Sequence, residues 1–167
     1  MRILGVDPGT AITGYGLIEV EGSRLTATDY GTLRTKAEQE MAARLSVLHG
    51  EMCGLIQDAN PDIVAVEQLF FNTNVTTALA VGQARGVILL AIAQAGIPMA
   101  EYTPLQVKQT VTGNGRATKQ QVGFMVKTLL KLESVPSPDD ASDALAIAIC
   151  HAHLGLTLDR FARYAKR

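Results

Sequence analysis

Ile3-Leu4-Gly5-Val6-Asp7-Pro8-Gly9-Thr10 is a short apolar run that ends in a carboxylate and a Pro-Gly turn. Leu17, Ile18 and Val20 follow soon after, as in a second strand. Apolar runs of this kind, bounded by Gly and Pro, read as buried strands. Asp7 then stands at the C-terminal end of a core strand, the edge at which open α/β sheets build their sites. The competing reading is that Asp7 only opens a turn, a place that Asp favours because its side chain bonds the backbone that follows.

Residues 2–7, 13–20 and 24–33 read as three strands joined by turns at Pro8-Gly9 and Gly22-Ser23. Connections this short make antiparallel neighbours. Residues 38–58 carry Met41, Leu45, Leu48, Met52, Leu55 and Ile56 at helical spacing, and Asn60-Pro61 stops that helix. Ile63-Val64-Ala65-Val66-Glu67 is a β-rich strand that also ends in a carboxylate. A strand reached through a helical crossover runs parallel to its partner. Pairing with the first strand would bring Asp7 and Glu67 to one edge.

Residues 78–95 are apolar almost all round, broken by Gln83, Arg85 and Gln94. A helix apolar on every face is buried on every face, so one side is expected on the sheet and the other against a second subunit. The charge of Arg85 there needs a partner. A short strand over 97–102 follows, then a helix opened by Thr103-Pro104 and broken at Gly113-Asn114-Gly115. A helix over 118–132, a linker at Pro136-Ser137-Pro138 and a last apolar helix from Asp139 to about His153 complete the pass. The expected fold class is α/β: a mixed sheet, antiparallel across strands 1–3 and parallel among strands 1, 4 and 5, flanked by helices. One domain over 1–156 is expected, with a basic tail at 157–167.

A chain of 167 residues can bury a full single core. Its 47% apolar and 19% charged content is that of a globular protein and not of a disordered one. The longest apolar run, Val87 to Ala93, is far too short to cross a bilayer. The N-terminus enters a strand at once, so no signal peptide is expected. Cys53 and Cys150 lack metal-ligand spacing and read as buried thiols of a reducing cytoplasm. The net charge of −1 argues against nucleic acid, but its distribution argues for it. From Tyr102 to Leu132 there is no acidic residue, while Lys108, Arg116, Lys119, Lys127 and Lys131 fall inside that window. A local basic surface matters more to phosphate than the total charge does. Lys127 and Lys131 by themselves read as a solvated helix face.

The last helix opens with Ser137 as N-cap and Pro138 at its first position. Asp139 and Asp140 are then stabilised by the helix dipole, and capping alone accounts for them. Asp143 is different: it shares their face one turn on, amid Ala141, Ala144, Leu145 and Ile147. Like charges so placed repel unless a cation or a proton intervenes. Facing Asp7 and Glu67, they would suit hard divalent ions such as Mg²⁺ or Mn²⁺. Two such ions about 4 Å apart activate a water and stabilise the leaving oxygen of a phosphodiester.

Five stretches then resemble, in order, the motifs of the RuvC-type Holliday junction resolvases. They are Gly5-Val6-Asp7-Pro8-Gly9 with Thr13-Gly14-Tyr15-Gly16, Glu67-Gln68-Leu69-Phe70, Gly82-Gln83-Ala84-Arg85-Gly86, Gln106-Val107-Lys108-Gln109-Thr110-Val111, and Asp140-Ala141-Ser142-Asp143-Ala144-Leu145-Ala146. The resemblance runs from Met1 to about Gly155. It implies a ribonuclease H-like fold, a homodimer, and Mg²⁺ with Mn²⁺ able to substitute, two ions to a site. It implies paired symmetric nicks in four-way junction DNA, leaving 5′-phosphate ends, in recombination and repair. Carried over by position, the catalytic ligands are Asp7, Glu67, Asp140 and Asp143; some members have His where Asp140 stands. Lys108 and Lys119 match the DNA-contacting lysines, Arg116 joins them from the acid-free window, and Phe70 matches the wedge, with Phe71 beside it. Contact with the RuvA–RuvB branch-migration complex is implied as well. His151 and His153 share no helix face and read as structural or solvated. Two other classes remain open: an actin or sugar-kinase-like ATPase, whose second lobe 167 residues do not hold, and a junction-binding protein without catalysis.

Overall fold

A computed structural model describes residues 1–68 and 75–164, with side chains over 1–68 and 78–155. Five strands form one sheet: β1 (Arg2–Asp7), β2 (Ile12–Glu21), β3 (Arg24–Arg34), β4 (Ile63–Glu67) and β5 (Met99–Tyr102), in the order β3-β2-β1-β4-β5. β1, β2 and β3 pair antiparallel, and β4 lies parallel to both β1 and β5. This is the expected mixed sheet. Its parallel half needs crossovers, which α1 (Met41–Ala59) and α2 (Val75–Gln94) supply.

Alternation along β1 divides the core in two. Leu4 and Val6 face α1 and α2, where they meet Leu48, Met52, Ile56, Ile88 and Ile92. Ile3 faces the other way, with Ile18 and Ala65, into a cluster supplied by α3 (Pro104–Thr112), α4 (Lys119–Leu130) and α5 (Asp139–Tyr164). α3 and α4 each begin with a Thr capping box, Thr103 with Gln106 and Thr118 with Gln121, in which side chains satisfy the free N–H groups of the first turn.

α5 is the helix that the chain itself buries all round. Ala141, Ala144, Leu145, Ala148, Ile149 and Cys150 are all buried, because α5 lies between the sheet and the α3–α4 pair. α2 packs one side on α1 and the sheet, and its Leu79 and Leu90 stay 65% and 51% exposed. α5 also continues to Tyr164, past the expected end near His153 and across the boundary at 156/157. It starts one residue later than Ser137 and Pro138 suggested: the Pro138 carbonyl accepts from the N–H of Ala141, which leaves Asp139 as the first helical residue. Cys150 is buried as expected, but Cys53 is half-buried, with its thiol 3.7 Å from His49 Nε2. Among the described residues no helix is long and apolar enough to cross a membrane.

Candidate active site

Asp7 and Glu67 end adjacent parallel strands. The β1–β4 register pairs Val6 with Val66, so the next residue on each strand emerges at the same edge. The Pro8-Gly9 bend is closed by Thr13, whose hydroxyl donates to the Gly9 carbonyl at 2.7 Å and accepts from the Gly9 N–H at 3.3 Å. The Thr10 hydroxyl ties the same loop to α2 through the Ala80 carbonyl at 2.7 Å. The loop therefore turns away while Asp7 stays at the strand end.

The third acid comes from α5, and glycines bring it in. Gly5 on β1 is paired with Gly16 on β2, and Asp7 with Gly14. A Cβ at Gly5 would overlap the Ala144 carbonyl, one at Gly14 the Asp140 carbonyl, and one at Gly16 the Leu145 side chain at 2.7 Å. The helix lies directly on this bare patch, which sets Asp143 over the strand ends. Sequence reasoning singled out these glycines only as parts of motifs. Their alternation at positions 14 and 16, opposite 5, was the available signal for a helix seat.

The result is a cleft of about 260 Å³ lined by Asp7, Glu67 and Asp143 with Lys108 and Lys119. Pro104, Val107, Val122 and Ala146 supply its apolar walls; Val107 and Ala146 fall within the quoted motifs, whereas Pro104 and Val122 do not. Asp140 does not line the cleft, but its charge acts on Asp7. Burial pushes the Asp7 carboxyl up to about 8, helped by the charges of Glu67, Asp143 and Asp140. Glu67 is raised too, by burial and then by Asp143, while its hydrogen bond to Asp7 pulls the other way. Both carboxyls are thus held toward their protonated forms. Lys119 Nζ donates to Asp143 Oδ2 at 2.8 Å.

The remaining candidates fall differently. Arg116 is exposed in the turn before α4, outside the cleft. Phe70 and Phe71 lie outside the described residues. Arg85 pairs with Glu101 of β5, which answers where its buried charge goes. His151 is structural, its Nδ1 2.7 Å from the Tyr102 hydroxyl in the core, and His153 is exposed.

As chemistry, the cleft brings three carboxyl groups together, and two of them, Asp7 and Glu67, are held toward the protonated form by burial and neighbouring acidic charge. That donor set fits a hard divalent ion. Among the described residues no three acidic, His or Cys side chains converge closely enough to enclose an ion as they stand; the ammonium on Asp143 is the cation already there.

Comparison with known proteins gives one consistent result. The family model for crossover junction endodeoxyribonuclease RuvC matches residues 3–151. A crossover junction endodeoxyribonuclease RuvC of Desulfitobacterium hafniense is 60% identical over 160 residues, 96% of this chain and 97% of that protein. The Thermus thermophilus RuvC structure superposes with a TM-score of 0.87 at 34% identity, over 94% of this chain and 96% of that one. T. thermophilus RuvC in complex with a Holliday junction substrate gives 0.86 at 32% identity, with the same coverage.

Proposed function

The chain belongs to the RuvC family of crossover junction endodeoxyribonucleases, and from that membership we infer that it is a Holliday junction resolvase. Asp7, Glu67, Asp140 and Asp143 form its ligand set in this reading, and Mg²⁺ is the working cation, two ions to a site with Mn²⁺ able to substitute. When bound, such ions supply an activated water and charge relief for the leaving oxygen of a phosphodiester. The single observation that carries the reading is the emergence of Asp7 and Glu67 side by side, with Asp143 brought over them in one cleft.

The chain's own groups divide the rest of the work. Asp7 and Glu67, both raised toward the protonated form, would ionise fully to hold a cation. Lys108 and Lys119 line the same cleft and offer donors to a scissile phosphate, which positions the backbone without reading bases. Arg116 extends the basic surface outward. Phe70 follows Glu67 by three residues and is assigned as the wedge at the junction centre. Val107 and Val122 exclude bulk water from one wall, which strengthens every charge interaction inside.

Two symmetric nicks need two such clefts, so the working unit is a homodimer. The exposed apolar face of α2, Leu79 and Leu90 with the open Gly82 and Gly86 beside them, is the surface proposed for it. Action in the cytoplasm and contact with RuvA–RuvB belong to the same reading. The ATPase alternative is not favoured.

The test is a gel assay. A synthetic four-way junction and a plain duplex are incubated with and without Mg²⁺. Paired nicks on the junction alone are expected, and Asp7→Asn should abolish them while the junction still binds. A shifted but uncut junction in Mg²⁺ with the unaltered protein would support a binder without catalysis instead.

A further inference from the structure

Lys119 reaches into the cleft that the acidic side chains line. Its ammonium lies 2.8 Å from Asp143 Oδ2, inside the cleft that Asp7 and Glu67 share. We propose that Lys119 is an internal competitor of the divalent cation: its ammonium holds Asp143 in the cation-free protein and leaves when a cation arrives. The inference rests on reading Asp7, Glu67 and Asp143 as cation ligands.

Three features of the geometry support it. An ammonium on Oδ2 offsets the charge that Asp143 would lend a second cation, and two cations on one carboxylate repel, so each weakens the other's hold. The pair is also unequal in mobility. The Asp143 side chain is 27% exposed and fixed on a helix packed into the core, while that of Lys119 is 67% exposed on the first turn of α4. The ammonium is the partner that can move. Finally, it has a second place to go. Lys119 and Asp143 also wall a chamber of about 190 Å³ with Asp139 and Ser142. The Ser142 hydroxyl is buried there with no hydrogen-bond partner among the described residues. An acceptor and a counter-charge thus wait on the far side of Asp143. Asp139, a helix-start acid outside the ligand set, is the group that receives the displaced ammonium.

Lys108 differs. It lines the same cleft but acts on Glu67 through its charge across the space. Removing it changes the field without freeing a ligand oxygen. Linkage then requires that a ligand which draws Lys119 off Asp143, a DNA phosphate included, tightens cation binding, and that the cation tightens binding of that ligand by the same factor.

The experiment is Mn²⁺ binding without DNA, by titration calorimetry and by the electron paramagnetic resonance of free Mn²⁺, on the full chain and three variants. Lys119→Gln is expected to bind Mn²⁺ roughly five- to tenfold more tightly, even though it loses a phosphate contact. Lys119→Arg, which restores a pair to Asp143, should return the affinity to that of the unaltered chain. Lys108→Gln should shift it far less than Lys119→Gln does. Equal or weaker binding by Lys119→Gln overturns the inference, and so does a Lys108→Gln effect of the same size. If the unaltered chain binds no Mn²⁺, the ligand reading falls and takes the inference with it. If it binds and Lys119→Gln binds no better, the inference alone falls.

Discussion

At the scale of single residues, Asp7 carries the clearest consequence. Its carboxyl sits near 8 in the folded chain against an ordinary 3.8. Between those values the native state holds a proton that the unfolded state has released, so stability falls as pH rises through that window. Asparagine cannot ionise there. With divalent ions chelated, Asp7→Asn should therefore raise the melting temperature by about 3 °C or more at pH 8.5 and by much less at pH 5, read by calorimetry. Arg85 and Glu101 form the second residue-scale case. Removing either alone leaves a half-buried charge, so Glu101→Gln should cost about 2 kcal/mol in urea unfolding. Arg85→Met combined with Glu101→Gln should cost less than the two singles together, because it leaves no charge behind. That Arg85 needs a partner was legible from its apolar neighbours. That the partner is Glu101 was not, because the pairing depends on how α2 lies against β5.

At the scale of elements, the seat of α5 decides the site. A methyl at Gly5 would meet the Ala144 carbonyl and the Ala148 backbone and side chain, none of which can yield without lifting the helix. Gly5→Ala is expected to destabilise by about 3 kcal/mol and to abolish cleavage, since Asp140 and Asp143 ride on that helix. Gly50, in the middle of α1, has nothing within 4 Å of the same position. Gly50→Ala should stabilise by about 0.5–1 kcal/mol, so denaturant midpoints of the two variants move in opposite directions. The strands and most helices were readable from apolar spacing, and the start of α3 from Thr103-Pro104. The complete cover of α5 was not legible, because composition shows how apolar a helix is and not how many layers cover it. α5 is covered by the sheet below and by α3 and α4 above; α2 has cover on one side only.

At the scale of the whole molecule, two surfaces set what the protein can do. The α2 face leaves Leu79 and Leu90 open to solvent. If it is the dimer contact, Leu79→Glu with Leu90→Glu should convert a dimer to a monomer in light scattering and suppress paired nicking. The basic surface formed by Lys108, Arg116 and Lys119 should make junction binding fall steeply with salt. Replacing Arg116 by alanine should lower the slope of log affinity against log salt by about 1, roughly alike for different junction sequences. A net charge of −1 gives no hint of this. The acid-free stretch from Tyr102 to Leu132 does, because α3, the turn and α4 are contiguous in the chain and stay together in space.

The sequence by itself determined what depends on neighbours along the chain: the strand pattern, the basic window, and carboxylates at the ends of β1 and β4. Motif order added the family. The tertiary structure decided what depends on residues far apart in the chain. Asp143 reaches Asp7 and Glu67 only because three glycines on two strands let a helix lie against bare backbone. Lys119 reaches Asp143 only because α4 packs on that helix. Local patterning carries no information on such distances, since they arise from the packing of whole elements; the charge balance of the cleft, and hence its readiness for a cation, is set there.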